Sequence, residues 1–290
     1  MAPSESLAIE RLAAGDVDAG LRLSDAARWN QTADDWAHFI ANGDAFGLRD
    51  EADGLIATAA ALPHGARVGW ISMVLVDARH RHRGHATRLL AACVDVLRAA
   101  GRVPVLDATP DGAAVYRQHG FVAGFAFERW QRGAPADARD ASTQGGRDDD
   151  HLTDVVDARA RDALLALDRS LWGLDRSALL RAFLARPSTR AWLAADASGF
   201  AVLRAGRRAQ QLGPIVAASE GSAIALLDRA LAAAPGAVFI DAPTSAPSLV
   251  AALAERGFVR QRPFVRMALG ETSALHAAAR AFAVAGPEFG

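Results

Sequence analysis

One pattern of residues occurs twice in this chain, and the repetition limits the fold more than any other feature. Near the end of the first half stands Val105-Leu106-Asp107-Ala108-Thr109-Pro110, then a short helical stretch, then Gly120-Phe121-Val122. The second half has Phe239-Ile240-Asp241-Ala242-Pro243-Thr244, another helical stretch, then Gly257-Phe258-Val259. Each set follows an Ala/Leu-rich amphipathic helix closed by a glycine, Gly101 or Gly236. Further upstream, Leu23 to Ile40 carries Trp29 and Trp36, and Leu167 to Leu184 carries Trp172 in similar company. Elements recurring in the same order point to one fold built twice. Between the copies runs Gly133 to Asp154, with Gly145-Gly146 and the run Asp148-Asp149-Asp150 and almost nothing to bury. That is linker composition. The expected division is a first domain over residues 1–132, a linker over 133–154 and a second domain over 155–290, each long enough for its own core.

Periodicity within each half gives two helices, a hairpin, a further strand, a long helix, a strand, a short helix and a final strand, so the class is α/β. In the first half the hairpin spans Ala45 to Ala61 and turns near Asp50 to Gly54, and Trp70 to Val76 reads as a buried strand. From His85 to Ala100, Leu89, Leu90, Cys93, Val96 and Leu97 fall on one broad helical face, with Gly101 suited to the C′ position. Thr109-Pro110 reads as an N-cap followed by proline at the first helical position, and Phe121 to Phe127 alternates as a strand.

Composition removes several classes of function. The chain of 290 residues is 51% hydrophobic and 22% charged, as a globular protein is, and its net charge of −1 gives no general attraction to nucleic acid or anionic membrane. All of its positive side chains are arginine, which excludes Schiff-base and P-loop lysines. The single cysteine, Cys93, excludes an internal disulfide and a cysteine-rich zinc site, and its place on the apolar helix face makes it core. No apolar run approaches the ~20 residues of a spanning helix, and the first residues lack a signal-peptide pattern. A cytoplasmic location is therefore expected.

Chemistry concentrates between Val74 and Leu90. Here Val74-Leu75-Val76 ends a buried strand, Arg79-His80-Arg81-His82-Arg83-Gly84 makes an arginine-rich turn, and His85-Ala86-Thr87-Arg88 opens a helix. Unpaired backbone N–H groups and the helix dipole make such a junction a phosphate site. Gly84 and Ala86 allow close approach, and Arg81, Arg83 and Arg88 can pair with phosphate oxygens. His80, His82 and His85 are spaced like metal ligands, yet the interleaved arginines would repel a cation, so no metal is expected. The same basic run lacks the aromatics of a nucleic-acid surface.

At Arg81-His82-Arg83-Gly84-His85-Ala86 the chain resembles the GNAT superfamily of N-acetyltransferases, whose pyrophosphate loop reads Arg/Gln-x-x-Gly-x-Gly/Ala between a strand and a helix. Downstream, Tyr116-Arg117-Gln118-His119-Gly120-Phe121 fits that superfamily's Tyr-x-x-x-Gly-Phe element. The resemblance covers about residues 65–128. It implies two GNAT-like domains in tandem, each a mostly antiparallel mixed sheet flanked by helices. It also implies acetyl-CoA as co-substrate, its pantetheine arm along Val74, Leu75 and Val76 and its pyrophosphate on the amides from Arg81 to Thr87. An N–H near Val74 would polarise the thioester carbonyl, a primary amine of a small molecule or peptide would attack directly, and Tyr116 would protonate the departing thiolate. Trp29-Asn30-Gln31 resembles a loop bordering the acceptor pocket in related two-domain proteins, and reads equally as a capping turn with a core tryptophan.

The second half departs from the pattern. Glu220 stands where phosphate would sit, no arginine lies between Val216 and Ile224, and Leu253 replaces the tyrosine four residues before Gly257. Coenzyme is not expected there, and the closing Ala281–Gly290 segment looks similar to that of other tandem GNAT proteins. Asp107 and its counterpart Asp241 read as structural caps, which leaves the general base unassigned. The expected activity is N-acetyl transfer, with a non-catalytic acyl-CoA sensor as the alternative; loss of turnover in Tyr116→Phe separates the two.

Overall fold

A computed structural model describes residues 7–134, 152–271 and 280–290. The chain divides into two compact units, Met1–Val105 and Leu106–Gly290. The first is built from β1 (Ile9–Arg11), α1 (Val17–Ala26), α2 (Ala33–Asn42), β2 (Asp44–Asp50), β3 (Gly54–His64), β4 (Val68–Val76), α3 (His85–Ala99) and the start of β5 (Val103–Ala108). Its strands run in chain order, β1 to β4 antiparallel and β4 to β5 parallel. β3 is an almost unbroken row of buried residues, because helices pack on this sheet and leave its hydrophobic strands little water.

Two close approaches fix the helices. A side chain at Gly20 would run into the Trp36 ring, so α1 lies directly on α2, and the Trp36 indole N–H donates to the Ser24 hydroxyl (3.0 Å). A side chain at Gly69 would run into Leu97, so α3 lies directly on β4. The α3 face of Leu89, Leu90, Cys93, Val94 and Leu97 is buried, and Gly101 after the helix takes φ +68°, as a glycine past a helix end does. Burial pushes the Cys93 thiol well up, so it stays protonated and inert.

The second unit holds the end of β5, α4 (Pro110–Gln118), β6 (Val122–Arg132), β7 (Leu152–Asp154), α5 (Ala158–Trp172), α6 (Ser177–Leu184), β8 (Arg190–Ala194), β9 (Gly199–Arg204), β10 (Gln210–Ala217), α7 (Glu220–Ala232), β11 (Val238–Pro243), α8 (Pro247–Glu255), β12 (Val259–Ala268) and β13 (Ala281–Ala283). The sheet order is β12-β6-β11-β10-β9-β8-β7, all antiparallel except β10 with β11, and β13 pairs with β10. Thr109 caps α4 by accepting from the Gly112 amide (3.3 Å), with Pro110 in the first turn. Of the expected linker, residues 135–151 lie outside the described residues, and Leu152–Asp154 form β7.

The units do not divide at the end of the first sequence repeat, because β6 closes that repeat and yet lies between β11 and β12 of the second. Its pairing with β12 is reciprocal. Phe127 stacks on its own repeat counterpart Phe264 (centroids 5.2 Å apart, planes at 11°), and rungs on either side match in turn: Gln131 with Val259, Val122 with Ala268.

Candidate active site

The loop after β4 is held from below and left bare above. Asp77 accepts from the Arg79 amide (2.9 Å), starting a short 3-10 turn. His80, buried at 6% exposure, lies 2.8 Å from Asp53 of the β2–β3 turn, and the Arg79 guanidinium reaches the same carboxylate (2.8 Å). The His80 contact first, and Arg79 after it, hold the Asp53 carboxyl below its usual range. Beyond this brace the loop is exposed. His82 and Gly84 both take left-handed backbone (φ +61° and +77°).

No side chain caps α3, and no acidic residue stands in its first turn. The helix therefore presents free amides and the positive end of its dipole. Arg81 bonds the Val76 carbonyl (3.2 Å), Arg83 bonds the Arg79 carbonyl (3.2 Å), and neither has a carboxylate partner among the described residues. Both charges are thus positioned but not neutralised. A side chain at Gly84 would meet nothing within 4 Å, so the space over the helix start is open. His85 is half-buried, with Nδ1 lacking a partner among the described residues. Burial first, and nearby Arg88 next, push its pKa down, so it adds no charge at neutral pH. Ala86 and Thr87 complete the first turn. The arrangement can hold a phosphate or pyrophosphate.

Above the loop, β4 carries a bulge. Thr58 faces Leu75 and Ala60 faces Ser72, so Met73 and Val74 together oppose Ala59. Met73 takes φ +53°, rare for a side chain of its kind, and its carbonyl accepts from the buried Thr58 hydroxyl (2.8 Å). Pairing with β5 stops at Trp70 and Val105. From Ile71 to Val76, no strand of the first unit pairs on that edge among the described residues. Val74 and Val76 are half-buried, Leu75 is buried.

Trp29, Asn30 and Gln31 lie between α1 and α2. Arg28 turns left-handed (φ +59°), and Thr32 caps α2 in a reciprocal box with Asp35. Trp29 is half-buried; Asn30 and Gln31 are buried at 5% and 4%, and Gln31 Oε1 has no partner among the described residues. The capping turn is thus present, and it carries one buried amide oxygen that capping does not use.

Tyr116 belongs to the second unit. It is half-buried on α4, its ring 5.9 Å from that of Phe121, and its carbonyl accepts the His119 and Phe121 amides as the helix ends. Asp107 and Asp241 are ion-pair partners rather than caps. Arg266 grips Asp107 with two bonds (2.9 and 3.0 Å), and Arg129 grips Asp241 with two (both 2.8 Å), so each copy's aspartate holds the other copy's arginine. Burial pushes the Asp107 carboxyl up to about 6 despite Arg266, and a side chain so enclosed is no general base for an outside substrate.

Sequence reading missed Thr58 and Asp53. Neither carries a motif; each matters through a contact distant in the chain. Among the described residues there is no His/Cys/Asp/Glu group placed to hold a metal ion, and no helix long and apolar enough to cross a membrane.

Known proteins bear on this geometry as follows. The sequence model of the acetyltransferase (GNAT) family matches residues 18–121, and that of an acetyltransferase (GNAT) domain matches residues 164–283. No curated protein matches the chain. Among solved structures, a Pyrococcus horikoshii protein assigned to the acetyltransferases is similar at TM-score 0.80 and 17% identity, over 99% of this chain and 96% of that one. A tandem GNAT protein from the clavulanic acid biosynthesis pathway is similar at TM-score 0.64 and 17% identity, over 91% and 98%. A GCN5-related N-acetyltransferase from Sphaerobacter thermophilus is similar at TM-score 0.61 and 15% identity, over 90% and 95%. At such identities the likeness is one of fold. With a GNAT family match on each half and the loop, bulge and helix described above, the chain belongs to the GNAT acetyltransferases, as a tandem two-domain acyltransferase.

Proposed function

We propose that the first copy, residues 1–132, takes acetyl-CoA and passes its acetyl group to a primary amine of a small molecule or peptide, without a metal, in the cytoplasm. Residues 133–154 link it to a second copy, 155–290, that carries no coenzyme. The observation that supports this most is the bare start of α3 beside two positioned, unneutralised arginines. Its amides suit a pyrophosphate, and Arg81 and Arg83 suit the phosphate oxygens. The edge of β4 from Val74 to Val76, on which no strand of the first unit pairs among the described residues, suits the amide groups of a pantetheine arm, which bonds as a strand does, the Val76 carbonyl being shared with Arg81. At the bulge, the Val74 N–H is the donor for the thioester oxygen.

In the reaction, the amine nitrogen bonds to the acyl carbon and the C–S bond breaks. The thiolate takes a proton from the Tyr116 hydroxyl, the amine gives up its own proton to solvent, and Tyr116 regains one from solvent, which closes the balance. Donors fixed before reaction are worth most where charge develops on the carbonyl oxygen. The Gln31 amide beside Trp29 and Asn30 is the assigned acceptor contact, since an unsatisfied buried oxygen gains most from an ammonium or amine donor.

Release of free CoA thiol across a panel of amines, in wild type and Tyr116→Phe, tests the reading. The expected result is turnover that falls about 100-fold in the variant, within the ordinary range for one proton donor, with coenzyme affinity unchanged. Equal rates in the two proteins would remove Tyr116 from the chemistry. Coenzyme binding with no turnover on any amine would leave a sensor.

A further inference from the structure

The two copies diverge at one point of the sheet. In the first, β4 pairs with β5 over three parallel rungs, Val68–Trp70 with Val103–Val105, and the ladder stops. In the second, β10 pairs with β11 over three parallel rungs, Gln210–Leu212 with Val238–Ile240, and the ladder stops there too. A register shift against the preceding strand follows in each, at Met73–Val74 and at Gly213–Pro214. Beyond it the second copy's edge is taken. β13 lies antiparallel on β10, Ala283 against Ile215 and Ala281 against Val216, and the next amide, Val284, donates to the Asp241 carbonyl of β11 (3.0 Å).

The seat is built for this segment. Gly213 (φ +151°) leaves room for the Val284 carbonyl, which any side chain there would strike. Arg204, itself 1% exposed, donates to the Ala285 carbonyl (2.7 Å) and meets Glu288 (3.2 Å). Arg176, also 1% exposed, donates to the Gly290 carbonyl (2.6 Å). Phe289 is fully buried, edge-on to Phe183 (5.1 Å), with the Arg204 guanidinium over its ring. Apart from this seat, Glu220 of α7 accepts from the Leu249 amide in the first turn of α8 (2.9 Å), and the α7 start is capped by Ser219.

We propose that the second copy is a peptide-strand site whose resident ligand is the chain's own segment 280–290, lying in the groove that corresponds to the coenzyme groove of the first. A pantetheine arm and a peptide strand offer a sheet edge the same groups, alternating amide donors and acceptors, so one groove can serve either. Occupation by the tail explains the lost arginines and tyrosine: a filled groove has no phosphate to hold and no thiolate to protonate. Two buried guanidiniums would lose tail partners if the segment left, which makes its departure costly. The correspondence with coenzyme rests on the proposed function of the first copy; the peptide site does not.

A site-specific protease sequence is inserted after Glu271 of the full chain, and protein cut there without denaturant is isolated. The cut protein is then mixed with a labelled synthetic peptide of residues 280–290. The expected results are that the fragment travels with the body in gel filtration, that excess labelled peptide replaces it, and that melting temperature rises with peptide concentration. A peptide carrying Phe289→Ala should compete about 100-fold less well, a change in the ligand that leaves the body's folding untouched. In the uncut chain, Gly213→Ala should free the tail to proteases. Prompt loss of the fragment with an unchanged melt would overturn the proposal, as would equal competition by the altered peptide. Acetyl-CoA plays no part in the exchange. A protein that exchanges peptide but ignores coenzyme sinks only the proposed function; one that binds coenzyme but never exchanges sinks only the peptide site.

Discussion

At the scale of single residues, the candidate site depends on side chains outside the loop itself, Thr58 and Asp53 among them. Thr58 holds the Met73 carbonyl and with it a left-handed backbone that a methionine would otherwise leave. Thr58→Val keeps the shape and removes the bond. It should cost about 1 kcal/mol of stability by thermal melting and slow acetyl transfer more than it weakens coenzyme binding, whereas Thr58→Ser should restore both. The crossed pairs are a sharper case. Asp107→Ala takes the carboxylate away from the buried Arg266 guanidinium, so about 3–5 kcal/mol should be lost in denaturant unfolding, most of it regained by adding Arg266→Met. The pH response has a definite sign. The folded Asp107 carboxyl is raised to about 6, above its unfolded value of about 3.9. The folded state then holds a proton that the unfolded state has released, so this group's contribution is full below about pH 4 and is lost as pH rises through about 6. Unfolding midpoints measured across that window should show the decline in wild type and lack it in Asp107→Asn.

Single elements were the part of the fold most legible in sequence. The α3 stripe, the Asp50–Gly54 turn, the Thr109-Pro110 start and the Gly101 stop all leave local signatures, and each is present as an element or cap. The strand–loop–helix junction was legible for the same reason, since its chemistry is contained in consecutive residues. The β4 bulge was not, because an extra residue in a strand shows only against its partner. Nor was the brace of His80 on Asp53, across 27 residues of chain. Asp107 shows the limit most clearly. Its position near the end of a strand fits a cap, and only the pairing of β11 with β6 and the placing of β12 beside β5 bring arginines to the two aspartates. At the start of α3, replacing Arg81 and Arg83 together by alanine should weaken acetyl-CoA binding by about 100-fold or more, each pairing being worth roughly 1.5–3 kcal/mol. The melting temperature should hold, since both side chains are exposed.

For the whole molecule, duplication was legible from the repeated motif, while the place of each copy's last strand was not. β6 closes the first repeat in sequence and is built into the compact unit of the second. Two copies also raise the plainest question of function: how many of them hold coenzyme. The second copy lacks the arginine loop, and β13 lies on its β10 beyond the rungs shared with β11. Calorimetric titration of the full chain with acetyl-CoA, beside the Arg81→Ala/Arg83→Ala variant, addresses that directly. One site per chain, weakened in the variant, is the predicted result. Two sites, or one that the variant leaves unchanged, would contradict the assignment of coenzyme to the first copy.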